Sequence, residues 1–555
     1  MSAADARAWW RDAVIYQVYP RSFQDSGGDG VGDLAGIRRR LPYIADLGAD
    51  AVWISPFVRS PMKDFGYDVS DFRAIEPMFG DMAAFDALVA DAHALGLKVL
   101  MDQVWNHTSD RHPWFVESRA SRDNPRADWY VWADPAADGG PPNNWRSAFG
   151  GSAWTFDPGR RQYYLHNFLA EQPDLDWHNP EVRAAMIAIG RFWLERGVDG
   201  FRLDVVNFYA HDRSLADNPP RPPDVPRPAG AGRGDPYFDH INRGTVCRPE
   251  TLAMLGELRA LADAYPGTVL LGEVSSAEDS LAAAADYVAG DGRLHLAYNS
   301  ALVTDEPFTA EGLHALIARA QALFPDHRLC WTFGTHDFPR LKGRWAEHAR
   351  HAEALERRRD ALLAALLATL PGACCIYQGD ELGLPQAQLA FEQLRDPFGI
   401  ANWPHVLGRD GCRTPMPWTD AAPHGGFSSA PQTWLPMPAE HLALAVSRQQ
   451  GDPGSLLETY RGLLRWRRRT PALRGGALRL FPVQGPVLAF ARGSGRGRVV
   501  CAFNLSPEAA TRGLEAMAAG GTHCRALAGD CRIEGDVLVL PGFGAAVLEG
   551  SGCEE

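Results

Sequence analysis

The sequence predicts an α/β protein: a (β/α)8 barrel with a loop-rich insertion after its third strand and an all-β domain at its C-terminal end. Three observations carry that expectation. Apolar strand-like runs alternate with amphipathic helical stretches about eight times between residues 13 and 378, a pattern that builds a parallel sheet with helices outside it. Eight such units close into a barrel more readily than they form an open sheet. Beyond residue 470 the helical pattern stops and short apolar runs separated by turns take over.

In order, strands are expected at residues 13–19, 50–54, 97–102, 200–207, 268–273, 294–298, 329–333 and 373–378. Helices are expected at 34–48, 82–96, 180–197, 249–265 and 456–469. The barrel would comprise 1–103 and 179–470. Residues 104–178, rich in Trp, Pro and Asn, form the first insertion, and 385–440 form an irregular second one. A Pro-rich run at 218–228 reads as a surface loop. The C-terminal β-sandwich would occupy 471–555, with strands at 477–481, 487–491, 499–504 and 537–540.

The chain has 555 residues, 46% hydrophobic and 22% charged, with a formal net charge of −13. That charge argues against a nucleic-acid partner, which needs a basic face. No run is long and apolar enough for a membrane span, and residues 1–12 lack the apolar core of a secretory signal. The nine cysteines, Cys553 among them, are scattered without metal-ligand spacing. A reduced, cytoplasmic enzyme, monomeric or homodimeric and without an organic cofactor, is the expectation.

The candidate chemistry lies at strand ends. In Gly200-Phe-Arg202-Leu-Asp204-Val-Val-Asn207 an arginine and an aspartate interrupt a buried apolar strand. Their spacing of two puts both on one face, and a buried charge is costly unless it is paired or used. Arg202 would keep Asp204 ionised, as a covalent nucleophile requires. Asp102 closes the third strand and Glu273 the fifth, while His336 and Asp337 follow the seventh. In a barrel these ends share one face. Glu273 follows apolar Val269, Leu270 and Leu271, so desolvation would raise its pKa. Two carboxylates in opposed environments suit acid-plus-nucleophile chemistry. Taken singly, His107, His336, Tyr67 and Trp105 would read as structural or core residues, and Cys374-Cys375 as strand packing.

Several stretches together resemble the α-amylase superfamily, glycoside hydrolase family 13, and within it the bacterial exo-acting α-glucosidases and oligo-1,6-glucosidases. They are Val14 to Phe23, Gly66-Tyr67-Asp68, Asp102 to His107, Gln172 to Asp176, Gly200 to Asn207, Gly272-Glu273, His336-Asp337 and Gly408 to Trp418. The resemblance implies Asp204 as nucleophile, Glu273 as general acid/base and Asp337 as a transition-state stabiliser. It implies a sugar ring surrounded by His107, Arg202, His336 and Phe168, stacked on Tyr67, with its far hydroxyls held by Asp68 and Arg413. The loop Asp25-Ser-Gly27-Gly-Asp29-Gly-Val31-Gly-Asp33 reads on its own as an Asp/Gly turn. The resemblance makes it a structural Ca2+ or Mg2+ loop with Asp25, Gly27, Asp29, Val31 and Asp33 around the ion. Gly27 stands where relatives carry Asn, so one ligand is missing. Val205 resembles α-1,6-acting relatives, whereas the wider motif set resembles maltose-type enzymes.

The implied activity is a retaining exo-α-glucosidase acting on short α-glucosides, maltose-type favoured, with transglucosylation open to it. The alternatives are an oligo-1,6-glucosidase, or a transferase or isomerase that converts sucrose or trehalose. A non-catalytic relative, like the heavy subunits of amino-acid transporters, would have lost the carboxylates that this chain keeps.

Overall fold

In a computed structural model the chain is described for residues 8–228, 235–304, 306–344, 352–406, 408–421, 424–517 and 522–550. Residues 1–7 and Cys553 lie outside the described residues. Seven parallel strands form the sheet: β1 (Val14–Val18), β2 (Ala51–Ile54), β3 (Lys98–Gln103), β4 (Gly200–Leu203), β5 (Val269–Glu273), β6 (Leu296–Tyr298) and β7 (Cys374–Tyr377). They run in the order β6-β5-β4-β3-β2-β1-β7. Alternation sets the two faces. Val14, Tyr16 and Val18 pack outward against the helices, whereas Ile15, Trp53, Leu100, Leu271 and Tyr298 fill the barrel interior.

The eighth position is not a full strand. Within the expected 329–333, only Leu329 pairs with Ala297 of β6 and Trp331 with Cys374 of β7, each by a single parallel bridge. Cys330 N–H donates to Ala297 C=O and Cys375 N–H to Trp331 C=O, both at 2.8 Å, which closes the ring. The Thr332 hydroxyl then donates to Gly334 C=O at 2.7 Å. That local bond competes with the ladder and turns the chain toward the pocket before His336 and Asp337.

The helices start and stop where their ends are satisfied. Asp33 caps Leu34–Leu47 by accepting from Gly36 N–H, and Gly48 ends it at φ 103°. Ser455 caps Leu456–Arg469 through Glu458 N–H. Between strands, Gly200 is required because a Cβ there would lie 2.2 Å from Val269 C=O.

The first insertion carries a helix, Pro113–Ala120, and a three-stranded antiparallel sheet of Trp132–Ala133, Trp154–Asp157 and Gln162–Leu165. Bridges His107↔Asp174 and Tyr130↔Leu175 pin its two ends together. The Pro-rich stretch 218–228 is irregular, as expected.

The C-terminal region is a five-stranded and a three-stranded antiparallel sheet around a shared core that includes Val487, Ala489, Leu538, Leu540 and Leu548. Four of its strands were not expected: Ala510–Gly513, Thr522–Ala528, Arg532–Glu534 and Ala545–Gly550. Two of these, Thr522–Ala528 and Ala545–Gly550, rest on alanines, which carry little strand preference, and are held by cross-strand pairing. Among the described residues no helix is long and apolar enough to cross a membrane.

Candidate active site

Strand register builds the floor of the pocket. Asp102 lies opposite Arg202 in the β3–β4 pairing, and Glu273 ends β5 beside them. The Arg202 side chain is fully buried and serves three carboxylates at once. Its Nη1 donates to Asp102 and Asp204, each at 2.7 Å, and its Nη2 donates to Glu273. Tyr298 OH receives Nη2 at 2.7 Å. Glu273 also accepts from Val205 N–H at 3.2 Å. Val205 sits at φ 36°, ψ 47°, a costly conformation for a β-branched residue. It turns the chain sharply after Asp204, so that the backbone N–H faces Glu273.

One guanidinium cannot neutralise three carboxylates. Burial pushes Asp204 well above the ordinary carboxylate range, and Glu273, Asp102 and Asp337 add repulsion that Arg202 only partly offsets. Glu273 is likewise raised, by burial first. The raised Glu273 matches the sequence reading. The raised Asp204 does not: Arg202 is shared three ways, so its pull on Asp204 is diluted. The three carboxylates are coupled and titrate as a unit.

Asp337 behaves differently. Burial would raise it, but the Arg413 and Arg409 guanidiniums outweigh burial and hold it below its usual range. Arg413 Nη2 donates to it at 2.9 Å. His336 is kept neutral by burial. Its Nδ1 lies 2.7 Å from Gln17 Nε2, a donor, so Nε2 carries the hydrogen toward Tyr67 OH at 2.6 Å. Tyr67 OH in turn donates to Asp102 at 3.1 Å. Burial also lowers His107 to about 4, and its Nε2–H donates to Tyr67 C=O at 3.0 Å. Both histidines are therefore uncharged hydrogen-bonding groups at neutral pH.

These groups open onto a cavity of about 180 Å3. Of the expected site residues, Tyr67, His107, Phe168, Asp204, Glu273 and Asp337 line it. Arg202, His336 and Arg413 lie directly behind, with no exposed surface. Asp68 does not take part. Its carboxylate accepts from Ser60 Oγ, Lys63 N–H and Asp64 N–H inside its own loop. Asp64 lines the pocket instead and receives Arg409 Nη2 at 2.7 Å. Asp64 and its partner Arg409 thus both line the pocket, while Arg413 attends Asp337. Asp64 stands four residues before Asp68 and carries the same side chain, so composition offered no way to choose between them.

Phe149, Phe338, Phe398 and Val205 also line the cavity and were not foreseen as site residues. Phe149 comes from the first insertion, and Phe398 from helix Pro397–Asn402 of the second. Their only signal in the sequence was membership of a loop-rich segment beside the strand ends.

The Asp25–Asp33 loop lies away from the pocket. Asp25 Oδ1 accepts from the backbone N–H of Gly27 and Gly28, and Oδ2 from Gly30 N–H and Ser428 Oγ. Those four bonds use the lone pairs of this carboxylate. Asp33 accepts from Ser26 and Gly36 N–H, and Asp29 from Val31 N–H, so both keep free acceptor positions. The three carboxylates are not among the side-chain groups whose ligand atoms all come within 4.8 Å of one another. The donor set therefore fits a hard cation only in part.

The comparisons agree with this geometry. The family model for the α-amylase catalytic domain matches residues 17–476. A probable α-glucosidase of Rhizobium meliloti is 51% identical over 512 residues, covering 92% of this chain and 91% of its own. An oligo-1,6-glucosidase of Halalkalibacterium halodurans is 35% identical, covering 89% and 90%. Among solved structures, an α-glucosyl transfer enzyme superposes with a TM-score of 0.92 at 50% identity, over 98% of this chain and 99% of that one. The trehalulose synthase of Pseudomonas mesoacidophila MX-45 superposes at 0.84 with 31% identity, over 97% and 99%. With the motifs, the barrel and the carboxylate cluster in place, the chain belongs to the α-amylase family of glycoside hydrolases.

Proposed function

We propose that the chain is a retaining exo-α-glucosidase that releases glucose from the non-reducing end of short α-glucosides and can pass the glucosyl unit to a second sugar. The observation that carries this reading is the sharing of Arg202 among Asp102, Asp204 and Glu273 at the floor of a pocket that Asp64 and Arg409 also line. Glu273 acts as the acid that protonates the leaving oxygen. Asp204 attacks the anomeric carbon and forms a glycosyl-enzyme, and Glu273 then activates the acceptor. Asp337, held ionised by two arginines, receives sugar hydroxyls and faces the developing positive charge. The Asp64–Arg409 pair leaves no passage for a further sugar beyond the bound ring, which is why cleavage is terminal.

The relatives' names divide between α-glucosidase, oligo-1,6-glucosidase and glucosyl transfer. Maltose-type α-1,4 substrates remain our choice, with isomaltose hydrolysed more slowly. Each chain holds a complete pocket, so a monomer or homodimer suffices. The eight described cysteines are all unpaired, which suits a reducing cytoplasmic compartment.

We assign the Asp25–Asp33 loop a weak structural Ca2+ or Mg2+ ion, held through Asp29, Asp33 and the Val31 carbonyl, with no part in the chemistry. Weak binding predicts a Tm rise of only about 1 °C at about 10 mM Ca2+, and an unchanged Tm would remove the ion.

The reading is tested by following glucose release from maltose, isomaltose, sucrose and trehalose, with the anomer of the first product read by NMR. The expected result is α-glucose from maltose. Release of β-glucose, or internal cleavage of long maltodextrins, would refute it.

A further inference from the structure

Among the described residues, one group of three metal-ligating side chains brings its ligand atoms within 4.8 Å of one another: Asp176, His178 and His211. It belongs neither to the pocket nor to the Asp25–Asp33 loop. We propose that these residues bind a first-row divalent cation of the Zn2+ class, which ties the first insertion to the loop that follows the nucleophile strand.

The donor set carries the identity. Two imidazoles and one carboxylate suit Zn2+, Co2+ or Ni2+, whereas Ca2+ and Mg2+ take oxygen ligands. The tautomer of His178 is also set for ligation. Its Nε2 lies 2.9 Å from His211 C=O, which can only accept, so Nε2 carries the hydrogen and Nδ1 keeps its lone pair. Ligand histidines characteristically give their second N–H to a backbone carbonyl in this way. The two rings stand edge to face, with centroids 4.9 Å apart.

Among the described residues no Lys or Arg makes an ion pair with Asp176. Arg248 is occupied by Asp212 at 3.5 Å and Glu250 at 3.0 Å. Asp176 accepts from His178 N–H at 3.0 Å and keeps further lone pairs. A half-buried carboxylate with unused lone pairs beside two imidazoles is a donor set that a dication can complete.

The placement says what the ion would do. Asp176 and His178 end the first insertion, just before helix Pro180–Glu195. His211 follows the turn Val206–Phe208, which comes directly after Asp204 and Val205. Between the two segments Trp177 stacks on Tyr209 at 4.2 Å. The ion would lock that junction and so hold the insertion wall against the barrel, acting on stability and not on bond cleavage.

The test uses the full, untagged chain, stripped with chelator and dialysed. Titration with Co2+ should give visible d–d absorption that saturates at one equivalent, is displaced by Zn2+, and survives excess Ca2+ or Mg2+. Zn2+ at about 100-fold above its Kd should raise Tm by about 2–4 °C. His178→Gln and His211→Gln should each abolish the absorption and the Tm rise, while metal-free maltose turnover stays within about 2-fold. Absence of the band in the wild type would overturn the proposal even if a variant failed to fold, and so would a band that persists in both variants.

Discussion

At the floor of the pocket one guanidinium serves three carboxylates, whereas the mouth is walled by Phe149, Phe168, Phe338 and Phe398. The floor is built from the ends of β3, β4 and β5, and Arg202 pairs with a carboxylate from each of them. The mouth comes largely from two insertions, and its rings pack on one another and on the site: Phe149 lies 5.7 Å from Phe168 and 5.5 Å from Phe398 and carries Arg409 over its face, and Phe168 lies 5.3 Å from His107. The difference separates two tasks. Charge in a dry, rigid floor does the chemistry, where a misplaced carboxylate costs orders of magnitude. An apolar mouth tolerates different leaving groups and acceptors, since a ring offers area without demanding a particular hydroxyl. Hydrolysis and transfer can therefore share one floor and differ at the mouth, in line with the range of names among the relatives.

The largest effect should come from Asp204→Asn. It removes the proposed nucleophile and leaves Arg202 bonded to Asp102 and Glu273. A loss of several powers of ten in kcat is expected, with Tm little changed. Near-normal turnover in a folded variant would break the division between floor and mouth at its root.

Glu273→Gln should follow. Maltose, a poor leaving group, should lose about 1,000-fold or more, and an activated aryl glucoside much less in the glycosylation step. The pH profile sharpens the point. Glu273 has a raised pKa and must be protonated to act as the acid, so wild-type kcat/KM should fall as pH rises through that pKa. For the aryl glucoside that alkaline limb should disappear in Glu273→Gln. The acidic limb should not belong to histidine, because His107 titrates only near 4 and His336 lower still than an ordinary imidazole. A Glu273→Gln variant that keeps the alkaline limb would move the acid elsewhere.

Much of the floor was legible because a charge inside an apolar strand has few explanations. Arg202, Asp204 and Glu273 stood out against Phe201, Leu203, Leu270 and Leu271, and barrel topology brought them together. The clamp was legible only by type. In Asp64-Phe-Gly-Tyr-Asp68 both aspartates look alike, and the chain turns at Gly66 (φ 111°) between Asp64, which lines the pocket, and Asp68, which folds back on its own loop. The mouth was not legible, since a phenylalanine in a loop reads as core until the insertion's docking is known. The same limit hid the short eighth strand and the alanine-rich strands near the C-terminus, whose pairing is decided by neighbours far along the chain.

The clamp offers a matched pair of substitutions. Asp64→Asn weakens the contact with Arg409 in the pocket and should lower kcat/KM for maltose by about 10–100-fold. Asp68→Asn should act on stability instead, because the carboxylate is buried and accepts three local bonds. Burial pushes Asp68 up to about 6, above its unfolded value. The folded state therefore binds the extra proton, and this group's contribution to stability is lost as pH rises from about 4 to 6. The variant should flatten that part of the stability curve and leave kcat/KM within about 3-fold. A reversal of the two phenotypes would restore Asp68 to the site.

Phe398→Ala should give the smallest change and bears most directly on the mouth. Phe398 lies on helix Pro397–Asn402, whose N-terminal cap is Asp396. The same Asp396 accepts from Arg409 Nη2 at 2.7 Å, so the mouth helix and the floor clamp share an anchor that this substitution leaves alone. Only the ring is lost, and with it the contact to Phe149. The bound glucosyl unit should not sense that loss, and kcat for an activated aryl glucoside should stay within about 3-fold. The leaving sugar and the acceptor should sense it: KM for maltose should rise about 3–10-fold, and the ratio of transfer to hydrolysis should fall because water needs no apolar wall. Product ratios at fixed maltose, read by chromatography, measure this directly. A fall in kcat beyond about 100-fold with KM unchanged would mean that the ring holds the floor in place, and the separation of chemistry from acceptor choice would fail at this residue.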